Sequence, residues 1–167
     1  MIIPKISVSS KRDKEVSFSA MTIDCPPTDN ILTAEIAMVG EIPTDLEVLK
    51  AEPFVGPVGS QLNRICAAVR LARYQIYMTH ACKAKIPGNN YNKLWTTKGY
   101  RHPQWGELQA ALIEELSHFK GKVIMLLGMV PMKLLIDEPK FDSIAKYRGS
   151  FYPAEQDRKS TRLNSSH

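Results

Sequence analysis

Two apolar runs that each end in glycine constrain the fold of this chain more than any other sequence feature. The first run is ILTAEIAMVG (31–40) and the second is KGKVIMLLG (120–128). Continuous runs of this kind are typical of strands that are buried on both faces of a parallel sheet. A third stretch, YQIYMTHACKA (74–84), is rich in aromatic and aliphatic residues and predicts another strand.

Helical patterns separate and follow these strands. Leu62, Ile65, Cys66 and Val69 recur at helical spacing, which predicts a helix from about Ser60 with Cys66 as a small core residue. Further helices are predicted over 104–119 and 129–136, and AKYRGSFY (145–152) predicts the start of a fourth strand. The sequence therefore predicts an α/β fold: a three-layer sandwich with a mostly parallel central sheet of about four strands, the last part missing.

The composition is that of an ordinary globular domain. The 167 residues are 44% hydrophobic and 23% charged, and no apolar run is long enough to span a bilayer. The N-terminus lacks the pattern of a secretory signal, and the three cysteines form no C-x-x-C pair. We expect a cytoplasmic monomer of a bacterial or phage-infected cell, with reduced thiols and no membrane partner.

Three segments are expected along the chain. Residues 1–32 are irregular and predict an N-terminal arm with one short strand, and 33–156 form the α/β domain, which we expect to be incomplete. DRKSTRLNSSH (157–167) resembles a translated sequencing adapter, so it is predicted to be an artefact. This tail contributes to the net charge of +5, and the remaining basic excess permits nucleic-acid binding without requiring it.

Polar residues follow the predicted strands at the edge where α/β sheets bind ligands. Glu41 comes directly after the first strand, and most carboxylates in such a loop are simply solvated. His80 and Cys82 are predicted to face one side of the second strand, where they could pair as metal ligands or as a nucleophilic dyad. A hydrogen-bonded histidine beside an inert thiol is the favoured interpretation, because nothing nearby completes either site. Spacing alone predicts a polar cleft that holds Glu41, Phe54 and His80.

Three stretches together resemble a known family. They are AMVGEIPTDLEVLKAEPFVGPVGSQLNRI, YMTHACKAKIPGNN and KVIMLLG, and they resemble the uracil-DNA glycosylase superfamily, in particular the branch that usually carries an iron–sulfur cluster. The resemblance covers roughly residues 35–150. Its most specific parts are the G-E-x-P turn and the P-F-V-G-x-x-G loop.

The resemblance implies roles for single residues. Glu41 would be catalytic, because the family's glutamate lies beside the sugar and stabilises the positive charge that develops as the glycosidic bond breaks. Phe54 would stack on a base flipped out of the DNA, and Gly40, Ile42 and His80 would complete the base-binding site. DNA is the implied partner, because the family's loops approach its backbone. The implied DNA-binding residues are Gly56, Gly59, Ser60, Lys85, Pro87, Gly88 and Asn89.

The sequence departs from the family pattern in two places that matter for chemistry. His80 stands where the branch has an asparagine that reads uracil, so we expect the substrate to be uracil or a related deaminated base. Ala84 follows Lys83 where the branch has a cluster cysteine, and Cys25 stands alone instead of in a C-x-x-C pair. We therefore predict no iron–sulfur cluster, no other metal and no cofactor.

The expected function is that of a DNA base-excision repair glycosylase, an enzyme that hydrolyses the N-glycosidic bond of the damaged base. The family's late histidine loop is not recognisable after YRGSFY, so this form is expected to be weakly active or inactive. The alternative is a catalytically weak or inactive DNA-binding module of the same fold. A third hypothesis is an unrelated α/β enzyme, for which Glu41, Phe54 and His80 would lie apart.

Overall fold

The N-terminal part of the chain contains a two-stranded hairpin. The structure is a computed structural model that describes residues 23–86, 90, 105–136 and 143–152, together with the backbone of 5–8 and 16–19. Strands β1 (Lys5–Val8) and β2 (Val16–Ser19) pair antiparallel. The predicted arm therefore contains two short strands where the sequence indicated one.

A parallel sheet of three strands forms the centre of the protein. Strand β3 (Ile36–Gly40) lies between β4 (Ile76–His80) and β5 (Val123–Leu126), and both pairings are parallel. This arrangement confirms the predicted α/β class with a mostly parallel sheet. The three predicted strands all form, but each is shorter than its apolar run.

The three predicted helices form in the predicted order, and the described residues contain one more α-helix in a stretch for which no helix was predicted. This additional helix is α1 (Asp45–Lys50), and the predicted ones are α2 (Gly56–Ala68), α3 (Trp105–Ser117) and α4 (Met129–Leu135). Helix α2 begins four residues earlier than the predicted Ser60, because Pro57 in its first turn is compatible with a helix start. Cys66 is buried as predicted, but Ile65 and Val69 are exposed, so the predicted apolar stripe of α2 is only partly buried.

Two apolar clusters lie on opposite faces of the sheet. The larger one packs α3 and α4 against the sheet through Leu108, Leu112, Val130 and Leu134. The smaller one packs α2 through Cys66, and it includes Met38, Phe54, Ile76 and Met78. Helices therefore cover both faces of the sheet, as expected for a three-layer sandwich.

The two edges of the sheet differ. The outer edge of β4 is covered by the chain before β3, because Thr28 exchanges two hydrogen bonds with Met78 and the Asn30 amide donates to the Ile76 carbonyl. On β5, Val123, Ile124 and Met125 are each about two-fifths exposed. Burial on both faces is thus confirmed for most of β3 and β4 and wrong for β5.

The predicted fourth strand does not form. Residues 144–146 adopt a 3₁₀ turn, Ser143 caps it through its hydroxyl, and further turns follow to residue 149. The apolar side chain of Phe151 is 93% exposed. Among the residues that the structure describes, no helix is long and apolar enough to cross a membrane.

Candidate functional site

The ends of β3 and β4 bring three of the predicted site residues together. Gly40 and His80 are partners in the sheet register. A Cβ atom on Gly40 would lie 2.6 Å from Nδ1 of His80 and 3.0 Å from Cζ of Phe54. Glycine is therefore required at this position, because any side chain would displace one of the two rings. Gly40, Phe54 and His80 meet at the edge where the sequence predicts a ligand site.

The rings of Phe54 and His80 contact each other. Their centroids are 5.2 Å apart and their planes are tilted by 42°. Both residues are buried, and both imidazole nitrogens of His80 lack a hydrogen-bond partner within the described residues. A buried polar atom without a partner costs about 1–3 kcal/mol, so such an atom calls for a functional explanation. His80 is not the hydrogen-bonded histidine that the sequence favoured.

Glu47 is a buried carboxylate at this site that sequence reasoning missed. One oxygen, Oε2, accepts hydrogen bonds from the backbone N–H and the hydroxyl of Thr44, both at 2.7 Å. The other oxygen, Oε1, accepts the Phe54 N–H at 2.6 Å and lies 3.3 Å from Nε2 of His80. The latter is an ion-pair distance without the alignment of a hydrogen bond. The T-x-x-E pattern of a helix capping box, which the structure contains at Thr44 and Glu47, was the available signal.

Burial and polar contacts act in opposite directions on the Glu47 carboxyl. Burial alone would raise its pKa, because a charge is poorly solvated in the interior. The contacts from His80 and Thr44 outweigh burial and lower the pKa to about 2. Glu47 is therefore a carboxylate anion at neutral pH.

Glu41 points to the other side of the sheet end. Its Oε1 accepts the backbone N–H of Met129 at 2.7 Å and that of Val130 at 3.2 Å. These groups begin α4, whose N-cap residue, Gly128, provides no side-chain cap. Gly128 has φ +107, and a Cβ there would lie 2.5 Å from the Glu41 side chain. A negative charge at this helix start satisfies two orphan N–H groups.

Ile42, a predicted base-binding residue, packs elsewhere. Its partly buried side chain contacts the larger apolar cluster, on the face of the sheet opposite Phe54. The structure therefore separates the Ile42 side chain from the Phe54 and His80 rings. Its role in base binding stays a prediction.

The predicted DNA-binding residues fall into different environments. Ser60 is exposed on α2, whereas Gly59 is buried against the Phe54 carbonyl, where a Cβ would clash. Lys85 pairs with the exposed Asp45, and its backbone N–H donates to Asp24 at 2.8 Å. Gly56 begins α2 with φ +82. The remaining three, 87–89, lie outside the described residues.

His80 and Cys82 do not face the same side of the sheet, which corrects the prediction from strand alternation. Strand β4 ends at His80, so the alternation does not continue to Cys82. Cys82 lies in the larger apolar cluster, and its thiol donates to the Ala84 carbonyl at 3.3 Å. Burial raises the pKa of Cys82 to about 12. The residue is an inert thiol, as the sequence favoured.

The cysteines do not fit an iron–sulfur cluster. The chain has three, whereas clusters of this type are held by four thiolates, and Cys66 and Cys82 belong to clusters on opposite faces of the sheet. Burial raises the pKa of Cys25 to about 12, which favours the neutral thiol over a ligating thiolate. Within the described residues, no three His, Cys, Asp or Glu side chains form a metal-binding group.

A buried polar network supports the end of β4 from the opposite face. Lys83 pairs with Glu115 of α3, and Tyr77 donates its hydroxyl to the same carboxylate at 2.8 Å. Lys83 also donates to the His80 carbonyl at 2.8 Å. Burial, followed by the Glu115 charge, raises the pKa of Tyr77 well above its usual range. The network fixes the backbone that carries His80.

Comparisons with known proteins place the chain in a family. Residues 26–167 match the family model described as the uracil DNA glycosylase superfamily. A protein from Archaeoglobus fulgidus named Type-4 uracil-DNA glycosylase is 30% identical over 128 residues, which cover 74% of this chain and 59% of the relative. A protein of the same name from Saccharolobus solfataricus is 29% identical over 132 residues, or 75% of this chain and 56% of the relative.

A third relative of that name, from Pyrobaculum aerophilum, is 25% identical over 114 residues. The match covers 66% of this chain and 53% of that relative, so the chain spans a little over half the length of the relatives it matches. The unrelated α/β enzyme is thereby excluded as an explanation of the motifs. Because the family match extends over most of the sequence, the chain belongs to the uracil DNA glycosylase superfamily.

Proposed function

We propose that this protein hydrolyses the N-glycosidic bond of uracil, or of a related deaminated base, in DNA. The observation that carries the proposal is the meeting of Gly40, Phe54 and His80 at the carboxyl edge of a parallel sheet, with Glu41 next in the chain. Enzymes that act on a base in DNA must take it out of the helix and hold it in a pocket. An aromatic ring beside a polar side chain suits that task.

The proposed chemistry needs a negative charge near the sugar. As the bond between the sugar carbon and the base nitrogen lengthens, positive charge develops on the sugar and negative charge on the leaving base. Glu41 would stabilise the sugar cation electrostatically and orient the water that attacks it. Its Oε1 is held by Met129 and Val130, and Oε2 accepts no hydrogen bond from the described residues. The second oxygen is the one proposed to act.

The base would be read by the His80 imidazole. Nδ1 of His80 lies 2.6 Å from the position that a Cβ on Gly40 would take, and it has no hydrogen-bond partner within the described part of the chain. A base that offers a complementary polar atom there would satisfy it, and Phe54 would contribute stacking. One imidazole nitrogen recognises less of a base edge than an asparagine amide does, so we propose uracil or another deaminated base as substrate.

We propose that the reaction requires no cofactor. The proposal rests on the number and placement of the cysteines and on the chemistry above, in which the charges come from side chains. The DNA partner follows from the proposed substrate. A monomeric state and a cytoplasmic location are retained as predictions from composition.

A single-turnover assay with the 167-residue protein tests the function. Oligonucleotides with one uracil, hypoxanthine or xanthine would be incubated with excess protein, and abasic product would be scored after alkaline cleavage. Because the sequence predicts reduced activity for this form, excess protein is used to make slow turnover measurable, and we expect slowly formed product from at least one substrate and none from the undamaged oligonucleotide. Glu41→Gln should lose the activity, whereas Glu107→Gln, the same change at an exposed residue of α3, should keep it. No product from any of the three bases would refute the proposal.

The alternative function is DNA binding without base release. The observation that favours it is that Glu41 already accepts two backbone hydrogen bonds at the start of α4, which is a sufficient structural reason for the residue. Fluorescence anisotropy with a labelled oligonucleotide separates the two. Binding that Glu41→Gln leaves unchanged, with no abasic product from the wild type, would support the alternative.

A further inference from the structure

The backbone of Phe54 adopts a conformation that phenylalanine rarely takes. Its φ is +54°, in the left-handed region that favours glycine. For a residue with a Cβ, this conformation costs about 1–2 kcal/mol. Such strain persists only where the surrounding structure imposes it, and it is concentrated at functional sites.

Charged groups of opposite sign hold the two polar backbone groups of Phe54. The N–H donates to Oε1 of Glu47 at 2.6 Å, and Nη2 of Arg73 donates to the carbonyl at 3.1 Å. Gly59 lies directly against that carbonyl, where any larger residue would clash. Hydrogen bonds to charged groups are stronger than neutral ones, so the pair can offset the cost of the left-handed backbone.

Arg73 holds more of the loop than this one carbonyl. Its Nη2 also donates to the Pro53 carbonyl at 2.6 Å, and its Nη1 donates to Oδ1 of Asn63 on α2 at 3.0 Å. The ion pair with Glu52, at 3.5 Å, is largely exposed and contributes little. The guanidinium therefore ties the Phe54 loop to α2 from the short turn at 73–75, which leads directly into β4.

Glu47 connects this arrangement to the second ring of the site. The same oxygen that accepts the Phe54 N–H lies 3.3 Å from Nε2 of His80. Arg73 and His80 lie at the two ends of one short stretch of chain, and each is linked to the Phe54 loop. Glu47 thus contacts both ring-bearing residues at Gly40, whereas Arg73 contacts only the Phe54 loop.

We propose that Arg73 and Glu47 are positioning residues that clamp Phe54 in its left-handed backbone and so set its ring against His80 for base stacking. The inference rests on the proposed function, because it concerns the same site. Arg73 acts through Phe54. Removing the clamp should therefore cost activity only while the Phe54 ring is present.

A double-mutant cycle tests this dependence. We expect Arg73→Met to lower single-turnover kcat/KM for the preferred deaminated base about tenfold in the wild type and less than twofold in a Phe54→Ala background. Arg73→Lys, which keeps the charge but not the forked donors, should recover part of the loss. Arg64→Met, the same change at an exposed position of α2, should leave kcat/KM unchanged. Equal losses in the two backgrounds would overturn the clamp.

Hydrogen exchange at the Phe54 amide tests the clamp without any activity. The reference is the Met78 amide, which is buried in β4 and bonded to the Thr28 hydroxyl. We expect Glu47→Gln and Arg73→Met to accelerate exchange at Phe54 relative to Met78. Acceleration together with a wild type that releases no base would refute the proposed function and leave the clamp standing. Equal acceleration at both amides, or none, would overturn the clamp.

Discussion

Glu41 and Glu47 lie close together in the chain, yet they differ in how much of each carboxylate is free to act. Glu47 is 5% exposed, and each of its oxygens has partners in Thr44, Phe54 or His80. Glu41 is half-buried, and both of its hydrogen bonds go to Oε1. A carboxylate with hydrogen bonds to both oxygens organises a site, whereas one with an oxygen that accepts no hydrogen bond from the described residues can stabilise charge on a ligand.

The comparison teaches that proximity to a strand end does not decide the role of a carboxylate. Glu41 follows β3 directly, and its position suggested chemistry. Glu47 lies within α1 and was not predicted as a site residue, but its carboxylate contacts the Phe54 backbone and the His80 ring. The two carboxylates differ in whether one or both oxygens accept hydrogen bonds within the described residues, and four predictions test that difference.

Removing the Glu47 side chain should have the largest effect. Glu47→Ala leaves the Phe54 N–H and two donors of Thr44 without their acceptor, so we expect the free energy of unfolding to fall by about 3 kcal/mol. Urea denaturation measures the change. Glu52→Ala removes an exposed carboxylate nearby and should cost less than about 1 kcal/mol. Equal losses would mean that the buried contacts of Glu47 add no stability.

Neutralising Glu41 should affect activity more than stability. Glu41→Gln keeps an acceptor for the Met129 and Val130 N–H groups and loses the charge. We expect about a 100-fold loss of single-turnover rate, from electrostatic stabilisation, and a fall of less than about 1 kcal/mol in unfolding free energy. The same protein samples serve for both measurements. A stability loss without a rate loss would assign Glu41 to capping alone.

Adding a methyl group at Gly128 should disturb Glu41 without changing its charge. Gly128→Ala introduces a Cβ 2.5 Å from the Glu41 side chain in a backbone with φ +107, so we expect a loss of about 2 kcal/mol in stability, with a reduced rate. Gly106→Ala, where nothing lies within 4 Å of the new Cβ, is the matched control. Unchanged stability in Gly128→Ala would show that the loop before α4 adjusts freely.

The free energy of unfolding should depend differently on pH in the wild type and in Glu47→Gln. The pKa of Glu47 is lowered from 4.5 to about 2, so its ionised form stabilises the fold fully above pH 4.5. That contribution is lost as pH falls towards 2, because protons then bind the folded state as well. Denaturation curves of wild type and Glu47→Gln should therefore differ above pH 4.5 and converge below it. A pH-independent difference would contradict the assigned pKa.

Much of the architecture could be predicted from periodicity. The glycine-terminated runs predicted β3 and β5, and the helical pattern over 104–119 predicted α3. Such predictions succeed because the spacing of apolar residues along a strand or helix follows the face that it buries. The strand predicted at 145–152 does not form, and residues 144–146 adopt a 3₁₀ turn instead. Local composition misled the prediction because aromatic residues favour a strand only where neighbouring strands pack against them.

Less of the site could be predicted from local pattern. The strand ends and the family motifs predicted that Gly40, Phe54 and His80 share one site, and the structure shows them in contact. The prediction that His80 and Cys82 face one side failed because β4 ends at His80, two residues before Cys82, so strand alternation does not reach Cys82. Arg73 could not be found at all, because its hydrogen bonds go to carbonyl groups about twenty residues away.

The sequence by itself determined the α/β class, the order of the three central strands and of helices α2, α3 and α4, and the loop that carries Phe54, because these depend on residue spacing along the chain. Tertiary structure alone decided the charge environment. It buried Glu47 against the Phe54 N–H and His80, bonded Arg73 to the Phe54 carbonyl, and turned Glu41 towards α4. The physical reason is that burial and hydrogen bonding depend on which groups distant in sequence come into contact, and the spacing of residues along the chain does not specify those contacts.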